Sequence, residues 1–164
     1  DPVVEIRIRM ALGGGCPAKL TSIDLQRVTE LRLAHLRLND DGLMDVAKLE
    51  CLEKLFLGCT QITDAGLYSL RELRFLKTLY LQETQITATG IRMLAEIKQL
   101  SHLDLSKTKL SYDNLYCELP GLKRLSSVRL DGVNLTGKQV VKLRDSFYDS
   151  CGHRLEILHI DSQY

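Results

Sequence analysis

The apolar positions of this chain change period at regular intervals. In LEKLFLGCTQITDAGLYSLRELRF, Leu55 and Leu57 alternate with other residues, the two-residue period of a strand with one buried face. Ile62, Leu67, Leu70 and Leu73 then recur at three to five residues, the stripe of a helix. The next stretch, LKTLYLQETQITATGIRMLAEIKQ, repeats the order, with Leu79 and Leu81 followed by Ile86, Ile91, Leu94 and Ile97. Leu52, Leu76 and Leu100 are spaced by 24 positions. A period of roughly 20–29 residues opening L-x-x-L-x-L is the mark of a stacked solenoid, in which each unit buries its apolar face against its neighbours.

Units start near residues 3, 28, 52, 76, 100, 125 and 155, so the pattern predicts one domain over 1–164 with about seven parallel strands. Each strand is followed by a return segment on the opposite side, in the right-handed sense of such crossovers. Thr63 and Thr87 fit helix N-caps, and Asn39 holds the same place. Gly66 and Gly90 let the helix lie close to the strand behind it. Thr60, Thr84 and Thr108 stand in the turn after each strand, where a side chain must satisfy backbone groups. Val3 to Met10 (VVEIRIRM) alternates and predicts the first strand. Gly13-Gly14-Gly15-Cys16-Pro17 interrupts that unit, without the spacing of a phosphate-cradling loop, and Leu20, Ile23 and Leu25 return the chain to the stack. Pro120-Gly121 breaks the return segment of the fifth unit. The sixth unit lengthens to 30 positions, with a helix through Val140, Leu143 and Phe147, and Leu155 to Ile160 makes a last strand.

The form L-x-x-L-x-L-x-x-T/C-x-I-T-D-x-G-L resembles the leucine-rich repeat superfamily, and within it the cysteine-containing class of F-box-type and bacterial repeat proteins. That resemblance covers nearly the whole chain. It implies an α/β right-handed solenoid with strands on a concave face and helices on a convex one, serving recognition. No F-box-like helical segment precedes the repeats in this sequence, so a ubiquitin-ligase role is not carried over.

Composition narrows the function classes. The 22 basic and 21 acidic residues leave a formal net charge of +1, too little for a global field attracting nucleic acid or an acidic membrane surface. No membrane-length apolar run and no secretory segment is visible. The five cysteines lack paired spacing, which favours a reducing, intracellular compartment, whether cytoplasm or organelle. Cys51, Cys117 and Cys151 read as small core residues, and Cys59, on the open rim, as the accessible one. A chain that opens at Asp1 is expected to be a processed or excised part.

The residues flanking the core leucines of each strand face outward, so spacing alone maps the open face. Its central column reads Arg7, Arg32, Phe56, Tyr80, Asp104, Arg129, His159. The preceding column reads Glu5, Glu30, Lys54, Thr78, His102, Ser127, Ile157, and the following one Arg9, Ala34, Gly58, Gln82, Ser106, Asp131, Asp161. Two adjacent aromatics amid polar groups are how binding energy concentrates in interfaces. Phe56 and Tyr80, with Arg32, Lys54, Gln82, Glu83, His102 and Asp104 around them, are therefore the candidate protein-binding residues. The alternative is that the two rings only stabilise the sheet by stacking. Arg7, Arg9 and Arg32 form either a solvated ion-pair network with Glu5 and Glu30 or a dock for an acidic partner. His102, Asp104, Asp131, His159 and Asp161 are metal ligands by type, opposed by the intervening Arg129. His102, Asp104 and Ser106 alternate on one strand, roughly 6–7 Å apart at the backbone, which is not a triad. An open sheet offers no water-excluding pocket, so no catalytic residue and no cofactor is expected. The chain reads as an adaptor or recognition module, alternatively as a subunit of a large complex packed through its edges and helical face, and only remotely as an enzyme or metal-binding protein.

Overall fold

In a computed structural model, residues 1–13 and 18–158 are described. The chain runs α1 (Pro2–Leu12), α2 (Ser22–Gln26), β1 (Glu30–Arg32), α3 (Asp40–Val46), β2 (Lys54–Phe56), α4 (Asp64–Leu67), β3 (Thr78–Tyr80), α5 (Ala88–Leu94), β4 (His102–Asp104), α6 (Tyr112–Glu118), β5 (Ser127–Arg129), α7 (Gly137–Cys151) and β6 (Glu156–Leu158). Short 3-10 turns over Tyr68–Glu72 and Leu119–Gly121 extend α4 and α6. The second coincides with Pro120, whose ring cannot continue an α-helix.

The strands form one parallel sheet in the order β1-β2-β3-β4-β5-β6, each beside its neighbour in sequence. Leu31, Leu55, Leu79, Leu103 and Val128 are directly opposite one another along it. With Leu33, Leu57, Leu81, Leu105 and Leu130 they turn inward, nearly solvent-free, against the helices. Each unit thus hides both its leucines between two layers.

The turn after each strand repeats in backbone terms. His35, Cys59, Glu83 and Lys107 all adopt positive φ, between 53° and 60°, and Gly132 holds the same place at 71°. The strained position follows the last core residue of each strand. One residue later, the Thr60, Thr84 and Thr108 hydroxyls donate to the carbonyls of Leu57, Leu81 and Leu105 at 2.5–2.6 Å, satisfying the turn as its sequence suggests.

At the helix starts, Thr63 and Thr87 accept from Ala65 and Thr89 N–H, whereas Asn39 makes no side-chain cap bond. Thr63 and Thr87 have a second partner: the carboxylate that opens the preceding helix. Asp40 accepts from the Thr63 N–H (2.8 Å) and hydroxyl (2.6 Å), and Asp64 accepts likewise from Thr87. A Cβ on Gly66 would lie 2.4 Å from Asp40 Oδ1, and one on Gly90 2.3 Å from Asp64 Oδ1. The missing side chain of each glycine makes room for the carboxylate of the repeat before it.

Three expectations are corrected. Val3 to Met10 is not a strand but lies within α1, so six strands, not seven, are present among the described residues. Asp1 caps the Val3 and Val4 N–H groups, Pro2 opens the helix, Glu5 pairs with Arg9 one turn on, and Val4 and Ile8 share the buried face. These signals outweigh the short alternation. Glu5, Arg7 and Arg9 therefore leave the sheet columns, and α1 packs beside β1 and α3 at this end of the stack. The last strand arrives one residue earlier than a unit starting at Leu155 implies. Gly152 closes α7 in the left-handed conformation, Leu155 and Ile157 both turn inward, and Glu156 and Leu158 take the outward places given to Ile157 and His159. Ile23 does not join the stack but is 71% exposed on α2, while Leu20 and Leu25 pack against the core. Residues 14–17 of the glycine-rich interruption, Cys16 included, and the last residues His159 and Asp161 lie outside the described residues.

Candidate functional site: the open face of the sheet

Register places Arg32, Phe56, Tyr80, Asp104 and Arg129 side by side on consecutive strands, and Leu158 completes the row. Strand spacing of about 4.8 Å sets the distance between such neighbours. Phe56 and Tyr80 use it to stack: their ring centroids are 4.4 Å apart and their planes differ by 6°. The Arg32 guanidinium lies over the outer face of Phe56, 5.0 Å from the centroid, and is held by Glu30 at 2.7 Å. Both rings remain half-exposed. The two readings of the pair are thus both present in one geometry: the rings stack, and they still offer apolar surface to solvent. A cation at one end polarises the stack.

Beside the rings the surface is recessed. Gly58 lets the Gln82 amide lie flat on the backbone, where a Cβ would meet it at 2.2 Å. Among the described residues, Gln82 Oε1 and Ser106 Oγ are buried without a hydrogen-bond partner. Orphaned polar atoms of this kind are costly. Asp104 is only 7% exposed and accepts from the Ser106 N–H at 2.9 Å. Sequence alone could not find these atoms, because their burial depends on how neighbouring side chains lie.

Lys54 and His102 are exposed on the adjoining column. His102 Nδ1 bonds Ser101 Oγ at 2.8 Å and has no part in an Asp104–Ser106 relay. Arg129 pairs with Asp131 (3.7 Å) rather than with Asp104. Among the described residues no three His, Cys, Asp or Glu side chains converge on a metal position, and His159 and Asp161 fall outside them. Arg7 and Arg32 line a cavity between α1 and β1, but Arg9 turns aside to Glu5 and the Ala18 carbonyl.

Glu83, on the rim, accepts from Lys107 at 2.9 Å, and this bond holds its carboxyl below the usual range. A lowered acid adds stability at neutral pH that is lost as pH falls through its titration, and exposure keeps that contribution small. Burial, with the Glu83 carboxylate beside it, pushes the Cys59 thiol up. Cys59 is half-buried, and Cys117, expected in the core, is exposed on α6. Iodoacetamide at pH 7 should therefore alkylate Cys117 at least about fivefold faster than Cys59, the gap narrowing as pH rises and the Cys59 thiolate forms. Peptide mass spectrometry over time reads both rates, and equal rates would contradict the shielding.

The Leucine Rich repeat family model matches residues 48–70 and 72–95, two consecutive units of the stack. No curated protein sequence matches the chain. In fold the chain is similar to an internalin of Listeria monocytogenes, with TM-score 0.61 and 21% identity over 88% of this chain and 47% of that one. It is also similar to actin-binding site 2 of leiomodin-1, with TM-score 0.57 and 13% identity over 76% and 81%. A leucine-rich repeat protein of Leptospira interrogans gives 0.56 and 21% over 85% and 33%. The chain spans about half the length of the internalin. The fold is therefore that of the leucine-rich repeat superfamily, an α/β solenoid with a parallel sheet along one face. Folds of this kind commonly serve as protein-interaction modules, their stacked strands forming an extended binding surface. No helix among the described residues is long and apolar enough to cross a membrane.

Proposed function

We propose that this chain is a non-catalytic recognition module or adaptor that docks a protein partner on its open sheet, in a reducing compartment inside the cell. The observation that carries the reading is the half-exposed Phe56–Tyr80 stack at the middle of the sheet, flanked by Arg32 and by the unsatisfied Gln82 and Ser106. Rigid aromatics ringed by polar groups concentrate interface energy because they exclude water at little entropic cost. The leiomodin-1 segment, which is named as an actin-binding site, has a similar fold, and that name is in keeping with a protein-docking reading. The near-neutral charge supports a protein over a nucleic-acid partner.

A second reading, a permanent subunit packed through the helical side, is favoured by Met44 (62% exposed), Tyr68 (53%) and Tyr116 (43%) on the return segments. Cross-linking during affinity purification separates the two. Cross-links from Lys54 on β2 and Lys107 at the rim are expected for sheet docking. Dominant cross-links from Lys142 on α7 and from Lys48 and Lys98 would overturn it in favour of the helical side.

A further inference from the structure

The row across the sheet has a gap. Two parallel rings 4.4 Å apart on adjacent strands stand edge-up, with their faces turned along the row. One face of Phe56 is covered by Arg32, and the second face of Tyr80 looks over β4. There the residue is Asp104, whose short side chain bends down to the Ser106 N–H and leaves the space above it empty. Arg129 on β5 forms the far side. A cavity of about 150 Å³ occupies this position, lined by Tyr80, His102, Asp104, Ser127, Arg129 and Leu158. Tyr80 and Arg129 are two strands apart, about 9.6 Å. That is close to twice the 4.4 Å stacking distance, the width that one inserted ring fills.

We infer that this slot takes one aromatic side chain of the partner, of the kind that carries a ring N–H or O–H donor. The inference rests on the sheet-docking reading and names the chemistry it recognises. An inserted ring would extend the stack from Tyr80 and receive the Arg129 guanidinium on its other face, as Phe56 receives Arg32. Its donor would reach Asp104, a nearly buried carboxylate that has no cationic partner among the described residues. The same geometry rejects other occupants. An aliphatic side chain or a bare phenyl ring covers Asp104 without giving it a further donor, which leaves the desolvated carboxylate with the Ser106 N–H alone. A lysine or arginine would meet Arg129, which stands directly opposite Asp104 in register.

The test uses small probes on the whole chain: N-acetyltryptophanamide, N-acetylphenylalaninamide, N-acetylleucinamide and N-acetylargininamide, titrated while backbone amide NMR signals are followed. The tryptophan probe should bind weakly, with a dissociation constant on the order of millimolar for a ligand of this size, and shift signals of β3 to β5. It should bind about tenfold tighter than the phenylalanine probe, the worth of one hydrogen bond to a charged acceptor. Asp104→Ala should erase that difference, Asp104→Asn, which keeps the shape, should reduce it, and Arg129→Ala should weaken both aromatic probes. Equal affinity for the two aromatic probes, tighter binding of the arginine probe, or no shifts at β3 to β5 would overturn the slot. If the probes fail while partner binding still depends on Phe56 and Tyr80, the slot falls and sheet docking stands. If the tryptophan probe binds as described while the partner is indifferent to those two rings, the slot stands and the docking reading falls.

Discussion

Gly66→Ala is expected to destabilise the protein by about 2 kcal/mol, although alanine is the better helix former by about 1 kcal/mol. The added methyl would stand 2.4 Å from Asp40 Oδ1 and displace the carboxylate from the Thr63 N–H and hydroxyl. Bonds to a charged acceptor contribute about 1.5–3 kcal/mol each, and Asp40 is half-buried, so the lower end applies. Two such bonds come to about 3 kcal/mol, so Asp40→Ala alone is expected to cost about that much, and Gly66→Ala about 2 kcal/mol once the helix gain of about 1 kcal/mol is offset. The two costs share a cause, so the double variant should lose no more than Asp40→Ala alone. In the Asp40→Ala background, Gly66→Ala becomes neutral or mildly stabilising. Urea unfolding of the four proteins gives the coupling, and strictly additive losses would contradict the account.

The same contact explains where the repeat departs from its own pattern. Asp40 precedes Gly66, and Asp64 precedes Gly90. In the following unit Ala88 replaces the aspartate, no carboxylate reaches forward, and the glycine position becomes Asn114. Asn114 instead completes a capping box with Ser111. Aspartate and glycine thus change together across a repeat boundary, because one supplies the oxygen and the other the room for it.

The two-period pattern of leucines made the parallel sheet and its register legible from β1 to β5, and with them the outward row from Arg32 to Arg129. Those positions follow from alternation alone, since a one-residue slip would turn every leucine to solvent. Phe56 and Tyr80 could be paired from spacing, but their stacking with Arg32 over Phe56 could not, because side-chain angles are set by neighbours. The ends were less legible for a physical reason. VVEIRIRM satisfies a strand by alternation and a helix by Val4 and Ile8, and the cap at Asp1 with Pro2 decided between them. At the other end, Leu155 and Ile157 both face inward, and a count begun at Leu155 runs one position out of phase. Of the cysteines, Cys117 differs from expectation because it lies on the exposed side of α6, and Cys59, expected to be the accessible one, is half-buried beside Glu83, whereas Cys151 packs against the core.

The central claim is that the aromatic stack carries the energy of partner binding. Interface anchors of this type cost at least about 2 kcal/mol each when truncated. Losing both rings of one stack should therefore weaken binding at least about 100-fold, given about 1.4 kcal/mol per tenfold. Stability should suffer less, since Phe56 and Tyr80 stand outside the leucine core. The most direct measurement is the affinity of the cross-linked and identified partner for Phe56→Ala/Tyr80→Ala, with circular dichroism showing that the variant keeps its fold. A folded variant that has lost binding by two orders of magnitude is the predicted result. A folded variant that holds its partner as tightly as the parent would contradict it.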